Sequence, residues 1–399
     1  MSLQAITQRK RGFICVNAHP EGCRRNIERQ VERIRQAVGA GFKPAPTTMK
    51  NVLVIGASTG YGLASRIAAA WAFGAKTLGV FFERAPKGGS TGTAGYYNTV
   101  AFHEQAKKDE LFAASLNGDA FSDEIKRQAA DLIRQSIGSV DLVIYSLASP
   151  RRVHPRTGRT HNAALKPIGQ PFSSKTIDLN TEKVVTITLE PASEAEIADT
   201  VAVMGGADWR MWMEMLAQEN LLAKGAGTVA YSYIGPEVTW PVYRDGTIGQ
   251  AKLDLEKTAR DLAATLGPKL GLKAYVSVNK AVVTQASAAI PVVPLYLSVL
   301  PRVLKNNEEP IDQMRRLFCD FLAQGDRNLL DETWRVRLDS AELQPEVQAG
   351  IARIWPNVTT ENLYQLTDFA GFKRAFDNLF GFNVEGVDYS RPCETDLAW

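Results

Sequence analysis

Residues 51–73 constrain the fold of this chain more than any other stretch. Val52-Leu53-Val54-Ile55 is an unbroken apolar run of β-formers, followed directly by Gly56-Ala57-Ser58-Thr59-Gly60-Tyr61-Gly62. Such a run suits a strand buried on both faces. The glycines permit a tight turn and a close backbone approach, and Leu63 to Ala70 continues as a helix former. The turn therefore faces the unbonded N–H groups and positive dipole end of a helix, which together can receive a pyrophosphate.

From Lys50 onward, short apolar runs alternate with segments of helical period, the pattern of a parallel sheet covered by helices. Strands are expected at 52–55, 77–82, 114–116, 142–145, 229–233 and 274–278. Ser193 and Glu196 make a capping box, and Gly267-Pro268 is expected to stop the helix that begins near Gly249. The polar stretch 149–170, rich in Arg, His, Pro and Gly, reads as a long excursion beyond a strand end. Phe369, Phe372, Phe376 and Phe380 recur at helical spacing and read as core packing.

The expected fold class is α/β: a Rossmann-like, doubly wound parallel sheet with N- and C-terminal extensions. The G-x-x-x-G-x-G spacing, in place of G-x-G-x-x-G, points to the short-chain dehydrogenase/reductase type. With 399 residues, 45% of them hydrophobic, and no repeat or evident linker, the chain reads as one elaborated domain. Its parts are an N-terminal extension over 1–49, a dinucleotide-binding core over 50–286, and a C-terminal part over 287–399. A helix at 25–38 and a loop-like Gly41 to Pro46 are expected in the first of these.

Lys and Arg number 46 against 43 Asp and Glu, which gives no electrostatic case for a nucleic-acid partner. Four cysteines in so long a chain form no disulfide framework and fit a reducing compartment, so a cytoplasmic location is expected. No secretory signal is visible. The most membrane-like run, 282–304, is interrupted by Pro291, Pro294 and Pro301, so a buried or ligand-facing segment is expected there and no membrane span.

The second strand ends in Phe82-Glu83, and an acid there favours the ribose diol of NAD. The alternative is a solvated glutamate at a tight connection. Arg84 and Lys87 lie close enough in sequence to receive a 2′-phosphate, yet the acid points to NADH over NADPH. Asn117-Gly118-Asp119-Ala120 and Ser146-Leu147-Ala148-Ser149 follow the third and fourth strands. They fall where adenine and nicotinamide ribose lie in an open parallel sheet. Asp119 reads equally as an acceptor for the adenine amino group or as a helix N-cap.

Reduction of a polarised carbonyl or enone creates an oxyanion, and the site must aim a donor at it. Tyr243 and Lys252, separated by eight residues, would lie on opposite faces of one continuous helix. Asp245-Gly246-Thr247 is a turn and helix-start signal, however, so Tyr243 precedes the helix, Lys252 lies about one turn inside it, and both can face one cavity. Tyr231 and Tyr233 on the preceding strand are competing or assisting donors, or simply packed. Cys15, His19 and Cys23 have C-x₃-H-x₃-C spacing but make a poor zinc site without a fourth ligand. His103, His154 and His161 show no acidic partner in sequence. Arg151, Arg152, Arg156, Arg159 and Lys166 read as a solvated charge run or as contacts for substrate phosphates.

These segments, together with RGFICVNAHPEGC, TGTAGYYN, LKPIGQ, VMGGADW, VVTQASAAIPVVPLYLS and TTENLYQLTDFAGF, resemble the FabV-type enoyl-acyl-carrier-protein reductases, also called trans-2-enoyl-CoA reductases. The motifs run from about residue 11 to beyond 380. One departure is Tyr96 in Tyr96-Tyr97-Asn98, where the family often has tryptophan. The resemblance implies NADH-dependent reduction of the 2,3 double bond of an enoyl-CoA or enoyl-acyl-carrier-protein by a monomer. It also implies that Tyr243 donates to the thioester oxygen, that Lys252 holds the nicotinamide ribose, and that Tyr233 lies beside the substrate. Gly56, Ser58, Thr59, Gly60, Tyr61, Gly62, Phe82, Glu83, Asp119, Ala120, Leu147, Ala148, Lys252 and the Thr284-Gln285-Ala286 turn would line the NADH site. Ser287 to Leu300 would be a substrate-covering helix. A short-chain ketoreductase needs the same turn and the same Tyr and Lys, whereas a non-catalytic dinucleotide sensor needs only the turn.

Overall fold

The structure, a computed structural model, describes residues 3–12, 14–39, 49–147, 149–305 and 308–399; the expected loop at Gly41 to Pro46 lies outside them. All six expected strands form. They are β1 (Asn51–Ile55), β2 (Lys76–Phe81), β3 (Ala113–Asn117), β4 (Val140–Tyr145), β5 (Leu222–Ser232) and β6 (Lys273–Val278), joined by an edge strand β7 (Arg335–Arg337). Every neighbouring pair is parallel, and the order β3-β2-β1-β4-β5-β6-β7 reverses direction between β1 and β4. This is the doubly wound arrangement, whose ligand crevice opens outside the carboxyl ends of β1 and β4.

The apolar alternation of the strands divides the core. Val52, Val54, Leu142, Ile144 and Val229 face α2 (Gly60–Phe73), with α1 (Pro20–Gly39) and α3 (Ala94–Lys108) beyond it. Leu53, Ile55, Val143, Tyr145 and Ala230 face α4 (Asp123–Ser136), α6 (Ala207–Gln218) and α7 (Thr247–Leu270), and the Ser193–Glu196 capping box opens the intervening α5 (Glu194–Met204). A third buried cluster joins the extensions: Ile6, Cys15 and Cys23 pack with Tyr97, Leu295, Tyr296, Phe369, Phe372, Phe376 and Phe380. The four phenylalanines are therefore core, as their spacing predicts.

Three expectations are corrected. Gly267-Pro268 does not stop its helix: α7 runs to Leu270, because a proline φ is helix-compatible and the preceding glycine has no Cβ to clash with the ring. The segment from Ser287 to Leu300 is not one helix. A short α8 (Gln285–Ala288) ends before Pro291, and α9 (Val293–Val303) begins after Val292, whose φ of 74° breaks the helical path. Ser122, and not Asp119, caps α4 by accepting from Ile125 N. The excursion at 149–170 is real but carries a small hairpin, Arg151–Val153 with Thr160–Asn162, and a longer hairpin, Phe172–Asp178 with Lys183–Leu189, follows it.

The turn after β1 is held by backbone approach. A Cβ on Gly62 would lie 1.9 Å from Gly56 O, and one on Gly56 would lie 2.2 Å from Ser146 O at the end of β4. Both neighbours are backbone and cannot rotate away. Gly62→Ala is expected to cost about 1–3 kcal/mol, the range for forced overpacking, measured as a lowered urea midpoint with an unchanged slope.

Candidate active site

The site lies at the carboxyl ends of the central strands. Gly56 N and Ala57 N bond to Val80 O at 2.8 and 3.1 Å, and Ser146 N bonds to Ile55 O at 2.8 Å, so β1, β2 and β4 converge on the Gly-rich turn. Thr59 occupies the N-cap position of α2 without a side-chain cap bond. The first N–H groups of that helix thus face the turn with no side-chain acceptor from the cap, which suits an anionic ligand. Thr284, N-cap of α8, sits over the opposite side of the turn: its methyl would be 3.9 Å from a Cβ on Gly60. Gln285 and Ala286 open that helix.

Glu83 is not a solvated side chain. Ser58 Oγ donates to its Oε1 at 2.6 Å, Thr93 Oγ1 donates to Oε2, and Asn117 brackets its backbone with two 2.8 Å bonds. The carboxylate is fixed between the Gly-rich turn and the start of α3. Phe82 beside it is 78% exposed, an apolar ring left uncovered just past β2. Asp119 Oδ1 accepts from Phe121 N at 3.0 Å in an Asx turn. Ala120 O accepts from Lys126 Nζ and Trp212 Nε1, which makes Ala120 a buried anchor of this loop. Leu147 stands just past β4, and Ala148 lies outside the described residues. The Tyr61 hydroxyl donates to Lys280 O at 2.5 Å and to Gln313 Oε1 at 3.0 Å, so Tyr61 buttresses the turn from behind.

The helix-start signal at 245–247 is realised: α7 begins at Thr247, with Tyr243 in the turn before it and Lys252 inside its first turns. Lys252 Nζ donates to Tyr231 O at 3.0 Å, and desolvation by burial pushes its ammonium down to about 8. Burial, reinforced by the charge of Glu342, raises the Tyr243 phenol above its ordinary value. The edge of one ring meets the face of the other between Tyr233 and Tyr243, with centroids 4.8 Å apart at 82°.

The tyrosine hydroxyls separate the candidates. Tyr231 is committed to Ser65 Oγ at 2.5 Å and Met314 Sδ at 3.0 Å, which makes it core. Tyr233 donates to Glu342 Oε1 at 2.9 Å. Among the described residues the Tyr243 hydroxyl makes no hydrogen bond, so of the three it is the one free to serve a ligand. The charge run disperses: Arg152 is buried and donates to Ala202 O, Arg159 pairs with Asp199, and Lys166 pairs with Glu196. His161 does have an acidic partner, Asp199, at 2.7 Å, which sequence distance concealed. Cys15 and Cys23 are free buried thiols, and no metal-holding group of His, Cys, Asp or Glu gathers among the described residues. Among those residues, too, no helix is long and apolar enough to cross a membrane. The residue that sequence reasoning missed is Glu342. It follows β7, a strand too short and too Arg-rich to register as buried.

Comparison with known proteins gives a consistent result. Residues 5–88 match the family described as the NAD(P)H binding domain of trans-2-enoyl-CoA reductase, and residues 90–323 match its catalytic region. An enoyl-[acyl-carrier-protein] reductase [NADH] of Opitutus terrae is 54% identical over 98% of this chain and 99% of its own. One from Flavobacterium johnsoniae is 54% identical over 96% of each. The crystal structure of Treponema denticola trans-2-enoyl-CoA reductase in complex with NAD is similar at TM-score 0.92 and 45% identity, covering 99% of this chain and 98% of that one.

Residues 330–393 match a family described as an enoyl reductase FAD binding domain. They do not fit a flavin here. The segment has no Gly-rich turn between strand and helix, and its phenylalanines at 369, 372, 376 and 380 are 1–5% exposed, packed against one another and α9. The turn at Gly56 to Gly62 does fit a dinucleotide, since it opens a helix whose N-cap Thr59 makes no side-chain cap bond and so leaves the first N–H groups for a pyrophosphate.

A pH test follows from Lys252. Its charge is present below about pH 8 and lost above it. The kcat/KM for NADH, which reports groups of the free enzyme, is expected to fall with a single-proton slope as pH rises through about 8. In Lys252→Arg that limb should vanish, because a guanidinium keeps its charge.

Proposed function

This chain belongs to the trans-2-enoyl-CoA reductase family, and from that premise we propose how its residues divide the work of reducing an enoyl thioester. The protein is an NADH-dependent oxidoreductase that reduces the 2,3 double bond of trans-2-enoyl thioesters, carried on acyl-carrier protein or coenzyme A, in fatty acid biosynthesis. When bound, NADH supplies the hydride received by the β-carbon of the substrate.

The chain's own residues do the rest. The N–H groups at Thr59 to Gly62 take the pyrophosphate, and Glu83, already oriented by Ser58 and Thr93, accepts from the ribose diol. Phe82 covers adenine, and Asp119 and Leu147 border the cofactor on either side. Lys252, held by Tyr231 O, binds the nicotinamide ribose and places a positive charge near the reacting end. Tyr243 donates to the thioester oxygen as the enolate forms. Protonation at the α-carbon completes the reduction. Tyr233 lines the substrate wall with its ring, and α8 and α9 cover the acyl chain. The observation that carries this assignment is the uncommitted Tyr243 hydroxyl on a site where Tyr231 and Tyr233 are both engaged.

We read residues 1–49, 50–286 and 287–399 as parts of one unit that acts as a monomer in the cytoplasm. What supports this is the buried cluster that joins the N-terminal extension to the C-terminal one, the family resemblance, and four free cysteines.

Purified protein is expected to oxidise NADH with crotonyl-CoA and not with acetoacetyl-CoA, followed by loss of NADH absorbance; the reverse preference would make it a ketoreductase. Tyr243→Phe should lower kcat by roughly a hundredfold or more, the loss typical of one oxyanion donor, with NADH affinity by fluorescence titration unchanged. Glu83→Ala should raise the KM for NADH about tenfold, as expected when a hydrogen bond to a charged group is lost, and narrow the preference over NADPH.

A further inference from the structure

A buried carboxylate that the mechanism above does not use lies directly behind the substrate wall. Glu342 is fully buried. Its Oε1 accepts from the Tyr233 hydroxyl at 2.9 Å and from the Tyr296 hydroxyl at 2.6 Å, and its Oε2 accepts from Ala281 N at 2.7 Å. The Glu342 backbone carbonyl is pinned in turn by Gln348 Nε2 at 2.7 Å. These partners come from four places: Tyr233 just past β5, Ala281 just past β6, Tyr296 on α9, and Glu342 itself past β7. Three donors converge on the two oxygens; burial raises the Glu342 carboxyl above the usual carboxylate range, and the Lys280 ammonium and these hydrogen bonds pull the other way. A group so arranged serves as the shared acceptor of three donors, and deleting one of its partners removes a buried hydrogen bond.

This has two effects on the site. The Tyr233 proton is committed to Glu342, so Tyr233 offers its ring and not its hydroxyl to the substrate. The same oxygen anchors α9 through the Tyr296 hydroxyl, just past the break at Ile290-Pro291-Val292.

We propose that Glu342 is a positioning residue of the reductase: one carboxylate from the C-terminal extension fixes the covering helix through Tyr296 and withdraws Tyr233 as a donor, leaving Tyr243 as the phenol that meets the thioester oxygen. This rests on the assignment of Tyr243 given above. It predicts that the ordering of α9 is settled before substrate arrives; without the anchor, binding must supply that ordering and KM rises.

The test is a kinetic comparison of Tyr296→Phe, Glu342→Gln, their double variant, Tyr233→Phe and Tyr243→Phe with crotonyl-CoA. Tyr296→Phe keeps the ring and deletes only the anchoring hydroxyl, and should raise the crotonyl-CoA KM about tenfold, the loss of one partner of a buried acceptor, with little change in kcat or in the KM for NADH. Glu342→Gln should raise it at least as far. The double variant should be no worse than Glu342→Gln alone, because both changes break the same bond. Tyr233→Phe should retain far more kcat than Tyr243→Phe. If Glu342→Gln does not fold, Tyr296→Phe and Tyr233→Phe carry the test. A lowered melting temperature with an unmoved KM in Tyr296→Phe would make the network merely structural and overturn the proposal. Full turnover in Tyr243→Phe would instead overturn the catalytic assignment, so the two failures are distinguishable.

Discussion

The molecule depends on the crossing at the ends of β1 and β4, where three backbone segments meet with no side chain between them. Gly56, Gly62 and Ser146 approach at distances that exclude a Cβ. That contact sets the angle at which α2 leaves the sheet, and so decides where its N–H groups point. It also fixes Ser146 and Leu147, which border the neighbouring half of the crevice. The reversal of strand order occurs at the same place. The ligand-binding crevice thus coincides with one of the closest backbone approaches of the fold.

Around this frame, polar groups are satisfied by residues distant in sequence. Arg66 in α2 is buried without a carboxylate: it bonds to Thr77 Oγ1, Ser115 Oγ and Ala114 O, lies 4.2 Å from the centre of the Phe102 ring, and is pushed down to about 9 by desolvation. On the opposite face Lys126 and Asp208 pair at 2.8 Å, with Tyr145 and Arg152 beside them. Removing one member of that group would strand the other charge. These networks join the helices on each face to the strand ends that carry the site.

The core of this architecture was legible because its signals are local. Val52 to Gly62 is a strand, a turn and a helix start in one continuous run, and Asp245-Gly246-Thr247 separates Tyr243 from the helix that carries Lys252. What escaped has a common cause. Arg335-Val336-Arg337 is an edge strand with a single buried apolar residue, so nothing in its pattern signals burial. Glu342 and Tyr296 gain meaning only from being brought together across 46 residues. His161 and Asp199 are likewise paired by the fold and not by spacing. The covering segment was legible as apolar and proline-broken, but whether Pro291 bends one helix or divides two depends on the φ of Val292, which is set by its surroundings: Val292 N bonds to Thr176 Oγ1 of the longer hairpin at 3.3 Å.

The two extensions meet in a short antiparallel pairing, Leu3 with Glu394 and Gln4 with Cys393, and the Tyr96 and Tyr97 hydroxyls hold the same tail through Leu397 O and Thr395 O. A ladder between residues nearly a whole chain apart closes the largest loop this polypeptide can make. Such a contact forms late, since its closure entropy is repaid only after the intervening sheet has folded. During synthesis the apolar faces of Ile6, Cys15 and Cys23 therefore emerge long before the phenylalanines that will cover them. In that interval they are exposed apolar surface of the kind on which aggregation begins.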